Sequence, residues 1–187
     1  MTRKCDRLLR ALLVLAMAAM TPMSQHPAMA ASAAEINRDA AAALQTLYEG
    51  TPGAKELGAK AKGILVFPSI IKAGFIVGGQ YGEGALRKRD KTVAYYNTVA
   101  ASYGLQAGAQ SFGYALFFMT DSALRYLDKS DGWEIGTGPS IVVVDQGKAG
   151  ALTTTTAQAD VYAFFFSQQG LMAGLGLQGS KISRIKK

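Results

Sequence analysis

The stretch "GILVFPSIIKAGFIVGGQYGEGAL", Gly63 to Leu86, constrains this chain more than any other. It is strongly apolar, yet it carries a proline, a lysine and six glycines. A membrane helix needs about 20 mostly apolar residues. Lys72 would lie near its centre at a cost of about 2.5–3.5 kcal/mol, and each glycine weakens a helix further. A phosphate loop fails on spacing. Gly79, Gly82 and Gly84 read G-x-x-G-x-G rather than G-x-G-x-x-G, and no G-x-x-x-x-G-K-[S/T] occurs in the chain. The stretch therefore reads as two strands with a bend at Pro68-Ser69. Glycines inside strands mark bulges, bends or places where a neighbouring ring lies over the backbone.

The first thirty residues are a different object. Arg3, Lys4, Arg7 and Arg10 form a basic start, Ala11 to Met20 an apolar run, and Ala28-Met29-Ala30 a small-x-small site. This is the pattern of a secretory signal, too short for an anchor, with cleavage expected after Ala30. The only cysteine, Cys5, lies in the basic start rather than after the apolar run, so lipidation there is not expected. Residues 31–187 form one domain-sized segment with 16 basic and 12 acidic side chains, net +4. That modest excess suits anionic surfaces.

His26 and Cys5 both precede residue 31, so the remainder has neither histidine nor cysteine. This excludes Ser-His-Asp and Cys-His catalysis, His- or Cys-ligated zinc, and disulfides within residues 31–187. Carboxylate or lysine chemistry remains, and no paired constellation stands out. Asp121, Asp128, Asp131 and Glu134 come closest to a cluster, but "DKSDGWE" lacks the alternate acids and terminal glutamate of an EF-hand. No cofactor and no enzymatic activity are expected.

Ala33 to Tyr48 reads as an amphipathic helix with Ile36, Ala40, Ala43, Leu44 and Leu47 on one face. Ser32 and Glu35 have the spacing of a capping box. A second helix is expected from Pro52 to Lys62, capped by Thr51 and made basic by Lys55, Lys60 and Lys62. "TVAYYNTVAASYGLQAGAQSFGYALFFMT" is strand-rich, "DSALRYLDKS" a short helix capped by Thr120 or Asp121, and "WEIGTGPSIVVVD" strand-like. "ADVYAFFFSQQGLMAGLGLQGSKISRI" reads as a hairpin turning near Ser167 to Gly170. In its second arm Leu171, Ala173, Leu175 and Leu177 alternate with Met172, Gly174, Gly176 and Gln178. Phe164, Phe165 and Phe166 are assigned to the core. The expected fold class is α+β: N-terminal helices on a strongly coiled, mostly antiparallel, barrel-like sheet with one inserted helix.

Three segments also resemble a known family. "AKGILVFPSIIKAGFIVGGQYGEGAL", with Gly74, Gly78, Gly79, Gly82 and Gly84 after an F-P-S turn, is similar to the signature of the SYLF domain. "QAGAQSFGYALFFMT" resembles the family's next strand pair, and "SQQGLMAGLGLQGSKI" its closing hairpin. The resemblance runs from about Ala33 to the C-terminus. One departure is "TVAYYNTVAASYG", where the family often has an acidic or tryptophan-bearing segment; here the only tryptophan is Trp133. The resemblance implies a lipid-binding module with affinity for phosphoinositides and other anionic phospholipids. Actin regulation, which eukaryotic members support, is not expected of an exported chain.

The residues offer two basic clusters for such a role. Arg87, Lys88, Arg89 and Lys91 form one turn; Lys181, Arg184, Lys186 and Lys187 form the other. Each cation near an anionic surface contributes roughly 1 kcal/mol. Lys72 is a lone charge that either reaches a phosphate or points outward from a strand. The reading is an exported, non-enzymatic, periplasmic or secreted protein, peripheral to the membrane, that binds anionic phospholipid. An envelope structural or protein-interaction module, with an envelope protein as partner, stays open beside it. A small outer-membrane barrel also stays open, though the helices weigh against it. Nucleic acid is not an expected partner.

Overall fold

The structure, a computed structural model, describes residues 30–51, 53–75, 77–103, 108–128, 132–144, 159–170 and 179–187. Helix α1 spans Ala33–Gly50 and starts where the sequence places it. Ser32 Oγ accepts from the Glu35 N–H, and the Glu35 carboxylate accepts from the Ser32 N–H at 2.7 Å. The Ser32 N–H first, and then the Ser32 hydroxyl donating to the same carboxylate at 2.8 Å, hold the Glu35 carboxyl below its ordinary pKa. The stripe Ile36, Ala40, Leu44 and Leu47 is buried. Helix α2 spans Ala54–Lys60, shorter than expected. Its cap is Gly53 at φ 84°, not Thr51. Thr51 instead gives its carbonyl to the Ala54 N–H, and its hydroxyl is buried without a partner. Pro52 lies outside the described residues.

Eight strands follow: β1 Gly63–Phe75, β2 Val77–Lys88, β3 Lys91–Tyr103, β4 Gly108–Phe118, β5 Trp133–Glu134, β6 Ile141–Val144, β7 Val161–Gly170 and β8 Lys181–Ile185. Helix α3, Asp121–Leu127, sits between β4 and β5, and Thr120 caps it through the Ala123 N–H. The strands form one curled sheet in the order β5-β8-β3-β2-β1-β4-β7-β6. Among the described strands only β6 and β7 pair in parallel. Both edge strands are short, which limits the row of unpaired backbone groups they present.

Two expectations need correction. Pro68-Ser69 does not separate two strands. The register slips there against both neighbours while β1 continues, as expected where a proline has no N–H to give to the ladder. The slip moves alternate side chains across the sheet: Leu65 and Phe67 share a face with Ile70 and Lys72. The second correction concerns the C-terminal hairpin. Ser167–Gly170 belongs to β7, which pairs with β4 beyond a bulge, with Ser167 at φ 52°. β8 pairs with β3 and β5, on the far side of the sheet. The proposed second arm, Leu171 to Gln178, lies outside the described residues.

Each sheet face has its own apolar core. On one, α1 and α2 pack on Ile64, Val66, Ala85, Phe117, Phe164 and Phe166. On the other, α3 and Trp133 pack on Leu65, Phe67, Ile70, Tyr96, Phe112, Tyr114 and Phe165. The three consecutive phenylalanines are all buried and divide between the two cores by strand alternation. The glycines of β2 make room for β1. A Cβ on Gly84 would lie 2.7 Å from the Phe67 ring and also strike the Val66 carbonyl; one on Gly82 would lie 2.7 Å from Ile70. The Gly82/Gly84 pair is thus a packing feature, where side chains of one strand lie over the backbone of the next.

Candidate functional site

The β2–β3 turn is two residues long, closed by the Lys88–Lys91 pair. Arg89 sits in it at φ 53°, the left-handed region that costs an ordinary residue about 1 kcal/mol and favours glycine. Arg87 Nη2 donates to the Asp90 carbonyl at 3.2 Å, bracing the turn from behind. Arg87 pairs with Ile64, so it lies on the α1 face. Burial raises the Tyr48 hydroxyl pKa, and the Arg87 charge partly opposes that shift.

The α2–β1 junction lies at the same end of β1. The Lys62 N–H donates to the Phe118 carbonyl at 2.8 Å, fixing the chain as it leaves α2. Lys60 and Lys62 are thereby brought beside the turn. Helix α3 supplies the third wall with Asp121 and Leu124. The result is a groove of about 790 Å³ lined by Lys60, Lys62, Lys88, Arg89 and Lys91, with Asp90, Asp121, Val93 and short apolar side chains. Five cations against two carboxylates leave it net positive. None of the five forms an ion pair among the described residues. Val93 is one of the exposed large apolar residues, so the groove offers charge with some apolar surface beside it.

The other expected site residues lie elsewhere. Lys72 pairs with Gln80 and Gln110, eight residues further along β1 and about 25 Å from the groove at strand rise. Lys181 is exposed on β8. Arg184 Nη1 lies 3.3 Å from Asp128, which also accepts from the Tyr96 hydroxyl at 2.6 Å. Burial first, then that hydrogen bond, push the Tyr96 pKa well up. Lys187 is no loose tail: its Nζ donates to both Glu83 carboxylate oxygens and to the Ala31 carbonyl, at 2.8–3.0 Å. The C-terminal cations are thus dispersed, and two of them serve the fold.

Lys60 and Lys62 are the residues that turn a basic hairpin tip into a groove. Their basic character was visible in the sequence, but joining them to the turn requires the register that sets Ile64 opposite Arg87.

Residues 99–187, from the end of β3 through β8, match the family model Ysc84, described as Las17-binding protein actin regulator. No curated protein matches the chain. The match contains two of the three segments that carry the SYLF resemblance, in the same order. Over residues 99–187 this chain is thus similar to the Ysc84 (SYLF) family, in agreement with the resemblance read from its sequence.

Proposed function

We propose that this protein is an exported, non-enzymatic module that docks on anionic phospholipid surfaces through the groove between α2, the β2–β3 turn and α3. The observation that carries this reading is the gathering around one groove of five cations that form no ion pair among the described residues. At roughly 1 kcal/mol per net charge near an anionic leaflet, a net charge of three shifts partitioning on the order of a hundredfold. That suits reversible docking rather than anchorage. The secretory pattern of residues 1–30 supports export to the periplasm or beyond, beside phospholipid. Phosphoinositides belong to this ligand class by family resemblance; the groove itself selects negative charge. The lack of histidine and cysteine in residues 31–187 favours binding over catalysis.

The test is co-sedimentation of the purified chain with neutral and anionic vesicles at low and high salt. Salt-sensitive binding to anionic vesicles alone is the expected result. Equal binding to both, or to neither, overturns the reading.

One observation favours a protein-interaction module as second reading. Ile71, Tyr81 and Val99 are direct cross-strand neighbours and are 63%, 49% and 46% exposed, an apolar row on the outside of the sheet. The family description also names a protein partner. Co-purification from envelope extracts that survives detergent, with no vesicle binding, would favour this reading.

A further inference from the structure

The compact unit of this chain begins at Ala31, the residue that follows the expected cleavage point. Ala31 is half-buried against the α1-side core. Its carbonyl accepts from Lys187 Nζ at 2.8 Å, and the same ammonium donates to both Glu83 carboxylate oxygens at 2.9–3.0 Å. The Lys187 and Glu83 side chains are only 11% and 10% exposed. Glu83 is a fixed anchor: it stands in β2 between Ser69 of β1 and Asn97 of β3, and it also accepts from the Tyr81 hydroxyl at 2.8 Å. Ser32 is committed as well. Its N–H donates to the Glu35 carboxylate at 2.7 Å, and its carbonyl accepts from the Ile36 N–H at 3.0 Å.

A protease takes its substrate as an extended strand and pairs with main-chain groups on both sides of the bond it cuts. For a cut after Ala30, the residues beyond that bond are Ala31 and Ser32. The Ala31 carbonyl, the Ser32 N–H and the Ser32 carbonyl are already taken inside the fold. The bond is therefore presented only when this end opens locally. The Ser32 bonds are made within α1 and form with the helix. The Lys187 bond is not local. Lys187 follows β8, Lys181–Ile185, so it reaches Ala31 after β8 has paired with β3.

We infer that Lys187 is a clasp that withdraws the Ala30–Ala31 bond from proteolysis once β8 is in place, so that removal of residues 1–30 has to precede completion of the sheet. This rests on the export reading above. The cut is hydrolysis by a signal peptidase: water is added across the peptide bond, which leaves a carboxylate on Ala30 and an ammonium on Ala31.

The test uses the purified full chain and a purified signal peptidase, with the products weighed by mass spectrometry. The open reference is a chain that ends at Ser180, without β8 or the clasp. It should be cut after Ala30. One charge-assisted hydrogen bond that must open first is expected to slow cutting of the folded parent by about tenfold or more. Lys187→Ala should recover that factor, and Lys186→Ala should not. Leu127→Ala, which removes a buried side chain of α3, is a destabilised control that should stay protected. Melting curves show that the three variants are folded. A reference chain that is not cut overturns the export reading, and the inference with it. A folded parent cut as fast as the reference overturns the inference alone, as does a Lys187→Ala variant cut no faster than the parent. So does a Leu127→Ala variant cut as fast as Lys187→Ala, because protection would then come from overall stability rather than from the clasp.

Discussion

The chain has two clusters of basic residues, and the fold uses them differently. Lys88, Arg89 and Lys91, at the β2–β3 turn, gain Lys60 and Lys62 as neighbours and are exposed with no ion pair among the described residues. The C-terminal cluster of four cations is taken apart. Lys187 is drawn to Glu83 and Ala31, Arg184 to Asp128, while Lys181 and Lys186 point to solvent separately. Density of charge along the sequence therefore does not identify a binding surface. What decides is whether the fold supplies each cation with an acid of its own.

The largest effect expected from this difference is on stability, at the C-terminus. The Lys187 and Glu83 side chains are only 11% and 10% exposed. Lys187→Ala leaves a nearly buried carboxylate without its cation, held only by the Tyr81 hydroxyl among the described residues, at a cost of about 3 kcal/mol. Urea unfolding measures it, and Lys186→Ala, at an exposed position, serves as a control with no change. A Lys187→Ala variant as stable as the parent would return this residue to the surface cluster.

The groove should respond in the opposite way. Lys60→Ser with Lys62→Ser removes two charges, for about 2 kcal/mol and roughly thirtyfold weaker binding to anionic vesicles. Its urea midpoint should stay within the scatter of surface substitutions, about 0.5 kcal/mol. Loss of stability without loss of binding would show that these lysines serve the fold as Lys187 does.

Arg184 lies between the extremes. Its pair with Asp128 is 60% and 50% exposed, and Tyr96 holds Asp128 independently. Arg184→Ala should cost no more than about 0.5–1 kcal/mol. The smallest effect is a pH dependence. The Ser140 N–H and hydroxyl, with Thr120 adding to them, hold the half-buried Asp160 carboxyl below its ordinary pKa of 3.8. A depressed folded-state pKa stabilises the protein above 3.8, and that contribution disappears as pH falls through the lowered value. Asp160→Asn should therefore lower stability slightly at neutral pH and flatten the acid limb of the stability profile. An unchanged acid limb would show that these bonds contribute nothing.

Much of the fold is legible in the sequence. Ser32-x-x-Glu35 and the Ile36–Leu47 stripe specify α1, because capping and helical periodicity are local. Thr120 marks the start of α3 for the same reason. The glycines of β2 point to close approach, though only the structure identifies Phe67 and Ile70 as what lies over them. Sheet order is where local reading stops. "SQQG" has the composition of a turn, yet pairing with β4 carries β7 through it, and β8 crosses to β3. The candidate site was half legible for that reason. The turn cations are contiguous in sequence, whereas Lys60 and Lys62 join them through strand register.

The central claim is that the turn cations act outward rather than on the fold, and one measurement tests it most directly. The Lys88→Ser, Arg89→Gly, Lys91→Ser variant is compared with the parent for anionic vesicle binding and for stability. Glycine at position 89 suits the left-handed backbone, so the variant should fold at least as stably as the parent. Losing three charges should weaken anionic binding on the order of a hundredfold. A stable variant that binds anionic vesicles as well as the parent would contradict the account.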